Sequence, residues 1–383
     1  MDFNGGLIEV PISFHGAAAG FDSLFIEGGF FARSSYVATG PDSGSITLDA
    51  TVIYYTGLEP ITDNTATTDR VFTINTSGDQ QIRIIDDTAA GFITIDSNGT
   101  GGFESVTFPN PTSSLTINAG DGNDTITIDV LDSGFAVPII VNGGLGDDRL
   151  VIHDGTTIGV TFNGGDGTDA IVNQAGASGG LTTSGVETFI DRPLLFIPGF
   201  AGSFFDDAVA TLNEWLLNRG LHPSKLALDP LSEGYSDLIQ SFQNIGYLDG
   251  TNLAGVTGTL FSALWDWRVP VAVNSDGAND GVLSDVTSVS LQDALVDTLL
   301  DSGVDYLAYW LDQATSAWQT LTGVLPAAVD MVTHSTGGLV ARSYIQSVAY
   351  DAAGNLPLVD TLVQVAVPNQ GTGTPFSFLR NRD

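Results

Sequence analysis

The hydrophobic pattern changes period near residue 190. Before that point, short runs such as "SITLDATVIYY", "RVFTINTSG", "QIRIIDD", "SLTINAG" and "PIIVNGG" alternate apolar and polar residues between clusters of Gly, Asp, Asn, Ser and Thr. Period two bounded by turn residues predicts strands, and residues 1 to 190 offer no helical period. From Arg192 the texture differs. The apolar run "PLLFIPGF" leads into "SFFDDAVATLNEWLLNRG", where Phe205, Val209, Leu212, Trp215 and Leu216 recur at helical spacing and Gly220 stands at a C-cap position. A second helix is predicted over "VDYLAYWLDQATSAWQTLTG", with Leu307, Trp310, Leu311, Ala314 and Trp318 on its apolar face. Buried runs are predicted at "LFSALWDWR", "AAVDMVT" and "LVQVAV". Strand and helix in alternation imply a parallel sheet covered on both faces. The boundary falls near "GVETFIDRP", where Pro193 stops the last repeat strand.

The expected architecture is therefore an all-β parallel β-helix or solenoid over residues 1–190, followed by an α/β domain over 191–383. A chain of 383 residues suffices for two cores. Both ends read as cut, Met1 inside a repeat-like pattern and "FLRNRD" without a closing element, so a fragment of a larger protein is expected.

Charge narrows the partners. The chain has 45 acidic and 11 basic residues, a formal charge of −34. Such a surface repels nucleic acid and anionic membrane, and it attracts divalent cations. No cysteine is present, which excludes disulfides and thiolate metal sites. No apolar run reaches the length of a membrane span, and "MDFNGGLIEVPISF" has no signal-peptide pattern.

Three segments share a glycine–aspartate pattern: "NAGDGNDTITID", "NGGLGDDRLVIH" and "NGGDGTDAIVNQ". Their aspartates are Asp124, Asp148 and Asp169, each followed two residues later by Ile126, Leu150 or Ile171; "GAAAGFDSLFI", with Asp22, is a degraded fourth copy. The pattern resembles the repeats of haemolysin-type calcium-binding proteins. Glycines permit sharp turns with carbonyls directed inward, and an aspartate adds a hard oxygen, a donor set suited to Ca²⁺. The resemblance implies Ca²⁺ at Asp22, Asp124, Asp148 and Asp169, with weak affinity, on the order of 10⁻⁴ to 10⁻³ M. The copies recur at about twice the nine-residue interval of that family, or slightly more. One motif per coil fits a parallel β-helix better than a regular β-roll. A glycine–aspartate solenoid without metal is the plain alternative.

In "VDMVTHSTGGLVAR" an apolar strand delivers Ser335 into a glycine pair, and an amphipathic segment follows. A nucleophile on a strained strand-to-helix turn needs small neighbours, and the N–H of Thr336 then faces a developing oxyanion. "LLFIPGFAGS", about 140 residues earlier, offers the Phe200 N–H as a second donor. Together with "LFSALWDWR" and "VAVPNQGT", these segments resemble the lecithin–cholesterol acyltransferase-like lipases over Leu194 to Gly371. That resemblance implies an α/β-hydrolase acting on lipid-like esters, with Ser335 as nucleophile, Phe200 and Thr336 as oxyanion donors, and Trp265 to Arg268 as a structural or acyl-pocket wall. Asp266 and Arg268 read as an ion pair or loop anchor. The loop "NSDGANDG", with Asp276, Asn279 and Asp280, reads as solvated.

A catalytic serine needs a histidine and an acid, in this fold after the nucleophile. Only Asp351, Asp360 and Asp383 follow Ser335, and no histidine does. His334 points away from the nucleophile at such a turn; His15, His153 and His222 precede it. The acid and the histidine are expected beyond Asp383, and this chain is expected to be nearly inactive. The function expected of the larger protein is a serine lipase, esterase or O-acyltransferase of lipid metabolism, extracellular or at the cell surface. The competing expectation is a calcium-stabilised adhesion module with a non-catalytic hydrolase-like domain. A serine thioesterase or peptidase on the same fold is a third.

Overall fold

In the computed structural model of the chain, the described residues are 1–6, 8, 10–16, 22–153, 156–173, 180–205, 214–229, 234–251, 258–272, 285–297, 300–350 and 356–369. They cluster into two compact units. One comprises Met1–Asp191 with Asn244–Gly246 and Thr322–Val324; the other comprises Arg192–Gln243, Tyr247–Leu321 and Leu325–Asp383.

The first unit is β-rich and solenoid-like, with no helix among its described residues before Asp191. It opens with long strands, Leu24–Gly40 and Ile61–Ile74, which run parallel with Tyr36 beside Phe72. Ser43–Leu48 folds back antiparallel on the first of these, and Thr51–Thr56 pairs antiparallel with Ser43–Leu48 in turn. Two parallel ladders then climb together. Leu115, Ile139, Val160 and Leu181 pair in succession in one of them, so the coils measure 24, 21 and 21 residues. In the other ladder Ile82, Ile126, Leu150, Ile171 and Phe189 pair in succession. An antiparallel excursion, Phe92–Asp96 with Val106–Pro109, interrupts the first coil.

The period-two pattern explains the coil. Alternate side chains point inward, and Leu115, Ile117, Ile126, Ile128, Ile139, Val141, Leu150, Phe162 and Ile171 are fully buried. Each such side chain contributes about 1.5–3 kcal/mol of burial. Outside, the partly buried Asn118, Asn142 and Asn163 form a stack, each amide donating to its neighbour one coil earlier at 2.7 and 2.8 Å. The apolar residues predicted to start buried strands do so. Asp22 is different: it precedes the long strand Leu24–Gly40, in a part of the unit apart from the ladder that carries the other three aspartates.

The second unit contains a four-stranded, wholly parallel sheet in the order Leu260–Ser262, Leu194–Ile197, Ala328–His334, Leu358–Val365. Its helices are Ser236–Gln243, Ser288–Asp297, Gly303–Thr322 and Gly337–Ile345. The predicted apolar face of the third of these is buried throughout, with Leu307, Trp310, Leu311, Ala314 and Trp318 at the core.

Two expectations need correction. Phe205 is not helical: Ser203–Phe205 is a strand paired antiparallel with Leu226–Leu228. Only residues 214–217 of the predicted helix are described as helical, with Trp215 buried and Leu216 71 % exposed; Val209 and Leu212 lie outside the described residues. Aromatic residues after a glycine turn suit an extended edge as well as a helix. The "LVQVAV" run is not buried. Leu358–Val365 pairs on one side alone among the described residues and leaves Val363 and Val365 nearly half exposed.

Candidate functional site

Ser335 occupies the turn between Ala328–His334 and Gly337–Ile345 with φ of +51°, the left-handed region that a non-glycine residue adopts only under constraint. Its N–H donates to Val365 O at 2.9 Å, and its carbonyl accepts from Gly338 N at 3.1 Å. Crowding explains the glycines around it. A Cβ at Gly337 would fall 2.6 Å from Pro198 O, and a Cβ at Gly199 would fall 2.7 Å from Ser335 Cβ. Thr333, two residues before Ser335, is buried with its hydroxyl donating to Val363 O at 3.2 Å. Thr336 is the N-cap of the following helix.

The Pro198–Ser203 arm is held on several sides. Gly202 N–H closes a tight turn onto Gly199 O at 3.0 Å, with Ala201 at φ of +61°, so Phe200 sits at the outer corner. Trp265 Nε1 donates to Pro198 O at 2.9 Å, and Trp267 Nε1 to Ser203 O at 2.8 Å. Gly202 O accepts from Asp229 N at 2.9 Å. The Phe200 ring, 65 % exposed, rests on Trp267 at 4.4 Å. Asp266 and Arg268 do form the predicted ion pair, with the guanidinium 3.5 Å above the Trp215 ring and Asp266 fully buried. The "Asp-Trp-Arg" segment thus anchors the arm from beneath.

Two residues that sequence alone did not single out are central. Tyr235 Oη accepts from Gly199 N–H at 3.3 Å and lies 2.7 Å from His334 Nδ1. Ser203 is buried within the arm, with its Oγ 3.4 Å from Trp265 N. No motif marks a tyrosine 99 residues before its histidine partner. A cavity of about 590 Å³ lies beside the elbow, lined by Phe196, Leu238, Val332, Val365, Tyr235 and His334, under Phe200 and Ala201. Ser335 itself does not line it.

Among the described residues no side chain hydrogen-bonds Ser335 Oγ. His334 Nδ1 is engaged by the Tyr235 hydroxyl. His222 caps the Pro223–Lys225 turn through Ser224, and burial together with Lys225 lowers its pKa. His15 meets Thr56, and His153 meets Asp129 at 3.0 Å. Asp360 pairs with Arg192. Asp351 and Asp383 lie outside the described residues, as do Asp276, Asn279 and Asp280.

The structure brings Asp124, Asp148 and Asp169 together in one stack on successive coils, each buried. Oδ1 of each accepts a backbone N–H from the coil before it: Gln80 to Asp124 at 2.7 Å, Asp124 to Asp148 at 2.8 Å, Asp148 to Asp169 at 2.7 Å. Glu187, unmarked in the sequence because "SGVETFI" lacks the second glycine and the aspartate, takes the last place through Oε2 at 2.7 Å. Each Oδ2 is buried without a hydrogen-bond partner; those of Asp148 and Asp169 occupy space left by Gly143 and Gly164, where a Cβ would collide with them, whereas Ala119 stands at the matching position before Asp124. Burial raises these carboxyls, Asp124 to about 6 and Asp148 to about 7, with neighbouring carboxylates adding to the effect.

Calcium takes six to eight oxygens. The turns carry the buried, unpartnered Oδ2 of Asp124, Asp148 and Asp169, with Asp121 and Asp147 near enough to act on them electrostatically, and their carbonyls at Leu145 and Asp166 accept N–H groups from Gly122 and Gly146 at 2.8 Å. Among the described residues no three His, Asp or Glu side chains form a group able to hold a metal.

Comparison of the chain with known protein families, curated proteins and solved structures gives no match. Among the described residues no helix is long and apolar enough to cross a membrane.

Proposed function

We propose that residues from Leu194 onward form an α/β-hydrolase domain of a serine lipase, esterase or O-acyltransferase that acts on lipid-like esters. The observation that carries this reading is Ser335 at φ of +51° on a strand-to-helix turn, packed against Gly199 of a pinned arm. The oxyanion of an attacked ester would meet the N–H groups of Thr336 and Phe200. The apolar cavity beside the elbow and the exposed Phe200 ring favour an apolar substrate. On this reading the base and acid that activate Ser335 are left unassigned, and the protein acts in the extracellular space or at the cell surface.

Hydrolysis of p-nitrophenyl butyrate and of a long-chain triacylglycerol by the product of the whole reading frame tests this, with Ser335→Ala as control. Turnover that the substitution abolishes supports it. Turnover equal in both proteins, or none in either, refutes it. For the 383-residue chain alone the expected rate is lower by roughly 10⁶, the cost of losing the base.

The second reading is an adhesion or surface module whose hydrolase-like domain does no chemistry. It is favoured by the lack of any base on Ser335 Oγ among the described residues, and the inactive outcome of the same assay selects it.

A further inference from the structure

In the glycine–aspartate turns the chain leaves one parallel ladder and enters the other. At that step the N–H groups of Gln80, Asp124, Asp148 and Asp169 all bond to side-chain oxygens, and a buried N–H left unpaired would weaken the coil. The oxygens belong to Asp124, Asp148, Asp169 and Glu187, so one carboxylate per coil repeats the same bond.

The position just before each aspartate makes a second stack of the same kind. Asn123 N–H donates to Asp79 Oδ1, Asp147 N–H to Asn123 Oδ1, and Thr168 N–H to Asp147 Oδ1, each at 2.8 Å. Here a neutral asparagine holds a place equivalent to that of an aspartate. The stack therefore asks for an oxygen acceptor and not for a charge. The end of the inner stack tolerates a change of length, since the carboxylate of Glu187 reaches the Asp169 N–H with a longer arm.

We infer that Asp124, Asp148 and Asp169 are rungs of a metal-independent ladder that fixes the register of successive coils, each carboxylate oxygen replacing the strand carbonyl that the turn removes. The glycines serve this ladder. Gly143 and Gly164 leave room for the carboxylates, and Gly144 and Gly165, at φ of +124° and +118°, face the carbonyl of the preceding coil where any Cβ would collide. The positive-φ glycines and the Oδ1 bonds of the pattern are thereby accounted for without an ion, whatever the elbow in the other unit does.

Thermal unfolding of the full chain tests the inference, in 5 mM CaCl₂ and in EGTA, for the natural sequence, Asp148→Asn and Asp148→Ala. The asparagine keeps the acceptor and loses the charge; the alanine loses both. The expected midpoints are the same with calcium and with EGTA. They stay within about 2 °C for Asp148→Asn and fall by roughly 3–10 °C for Asp148→Ala. A natural-sequence midpoint that falls by several degrees in EGTA, or an Asn variant as damaged as the Ala variant, would overturn it. If the alanine variant does not fold at all, the calcium comparison and the asparagine variant still decide.

Discussion

Gly199 stands so close to Ser335 that a Cβ on the glycine would lie 2.7 Å from the serine Cβ and 3.0 Å from His334 O. The arm and the elbow therefore share one space, and glycine is the residue that lets them do so. Gly199→Ala is expected to destabilise the second unit by about 1–3 kcal/mol through overpacking. Chemical denaturation measures this; a variant as stable as the natural protein would show that the arm moves aside freely.

Tyr235 links the same two elements through its hydroxyl. The phenol accepts from Gly199 N–H, and it donates to His334 Nδ1 or accepts from it according to the histidine tautomer. Tyr235→Phe keeps the ring against Phe196 but removes both bonds. Hydrogen exchange at the Gly199 amide is expected to accelerate by roughly tenfold, the worth of one hydrogen bond of about 1.4 kcal/mol. Exchange unchanged at Gly199 would remove the hydroxyl from the account of the arm.

Asp266 is fully buried against Arg268 and also accepts Gly220 N–H at 3.0 Å. Removing one partner of a buried pair strands the other, so Asp266→Ala is expected to cost about 3–5 kcal/mol. Denaturant titration checks the size, and a loss below 1 kcal/mol would mean that Arg268 finds water instead.

Glu104 supplies a pH dependence for the first unit. Burial, reinforced by Glu59 and Asp42, raises its carboxyl to about 7, although bonds from Ser105 oppose the shift. Between the ordinary carboxylate range and pH 7 the folded chain keeps a proton that the unfolded chain has released. Stability from this group therefore falls as pH rises through that window and is level above it. Melting temperatures from pH 4 to 8 read the slope, to which the raised Asp124 and Asp148 contribute in the same sense, and Glu104→Gln is expected to make it shallower. A slope identical in the variant would assign the effect elsewhere. Asp129 and Asp132, lowered mainly by hydrogen bonds, act in the opposite sense at more acid pH.

Local patterns carried the elements whose shape depends on neighbours in sequence. Alternation marked the solenoid strands, helical spacing marked Gly303–Thr322, and small residues around Ser335 marked a strained turn. The chain itself thus determined where strands, one long helix and the elbow lie, because side-chain period and backbone freedom are local properties.

Partnership across distance was decided by the tertiary structure. Tyr235 meets His334 99 residues away, and Asp148 takes an N–H from a coil 24 residues earlier. The same aspartates read as metal ligands by residue type and as ladder rungs by their bonds. A carboxylate oxygen suits a cation and an amide N–H equally well, and the bonds of Oδ1 to the neighbouring coil came to light only with the position of that coil. Likewise Phe205 joined a strand because Leu226–Leu228 lay alongside it, a contact that no local pattern contains.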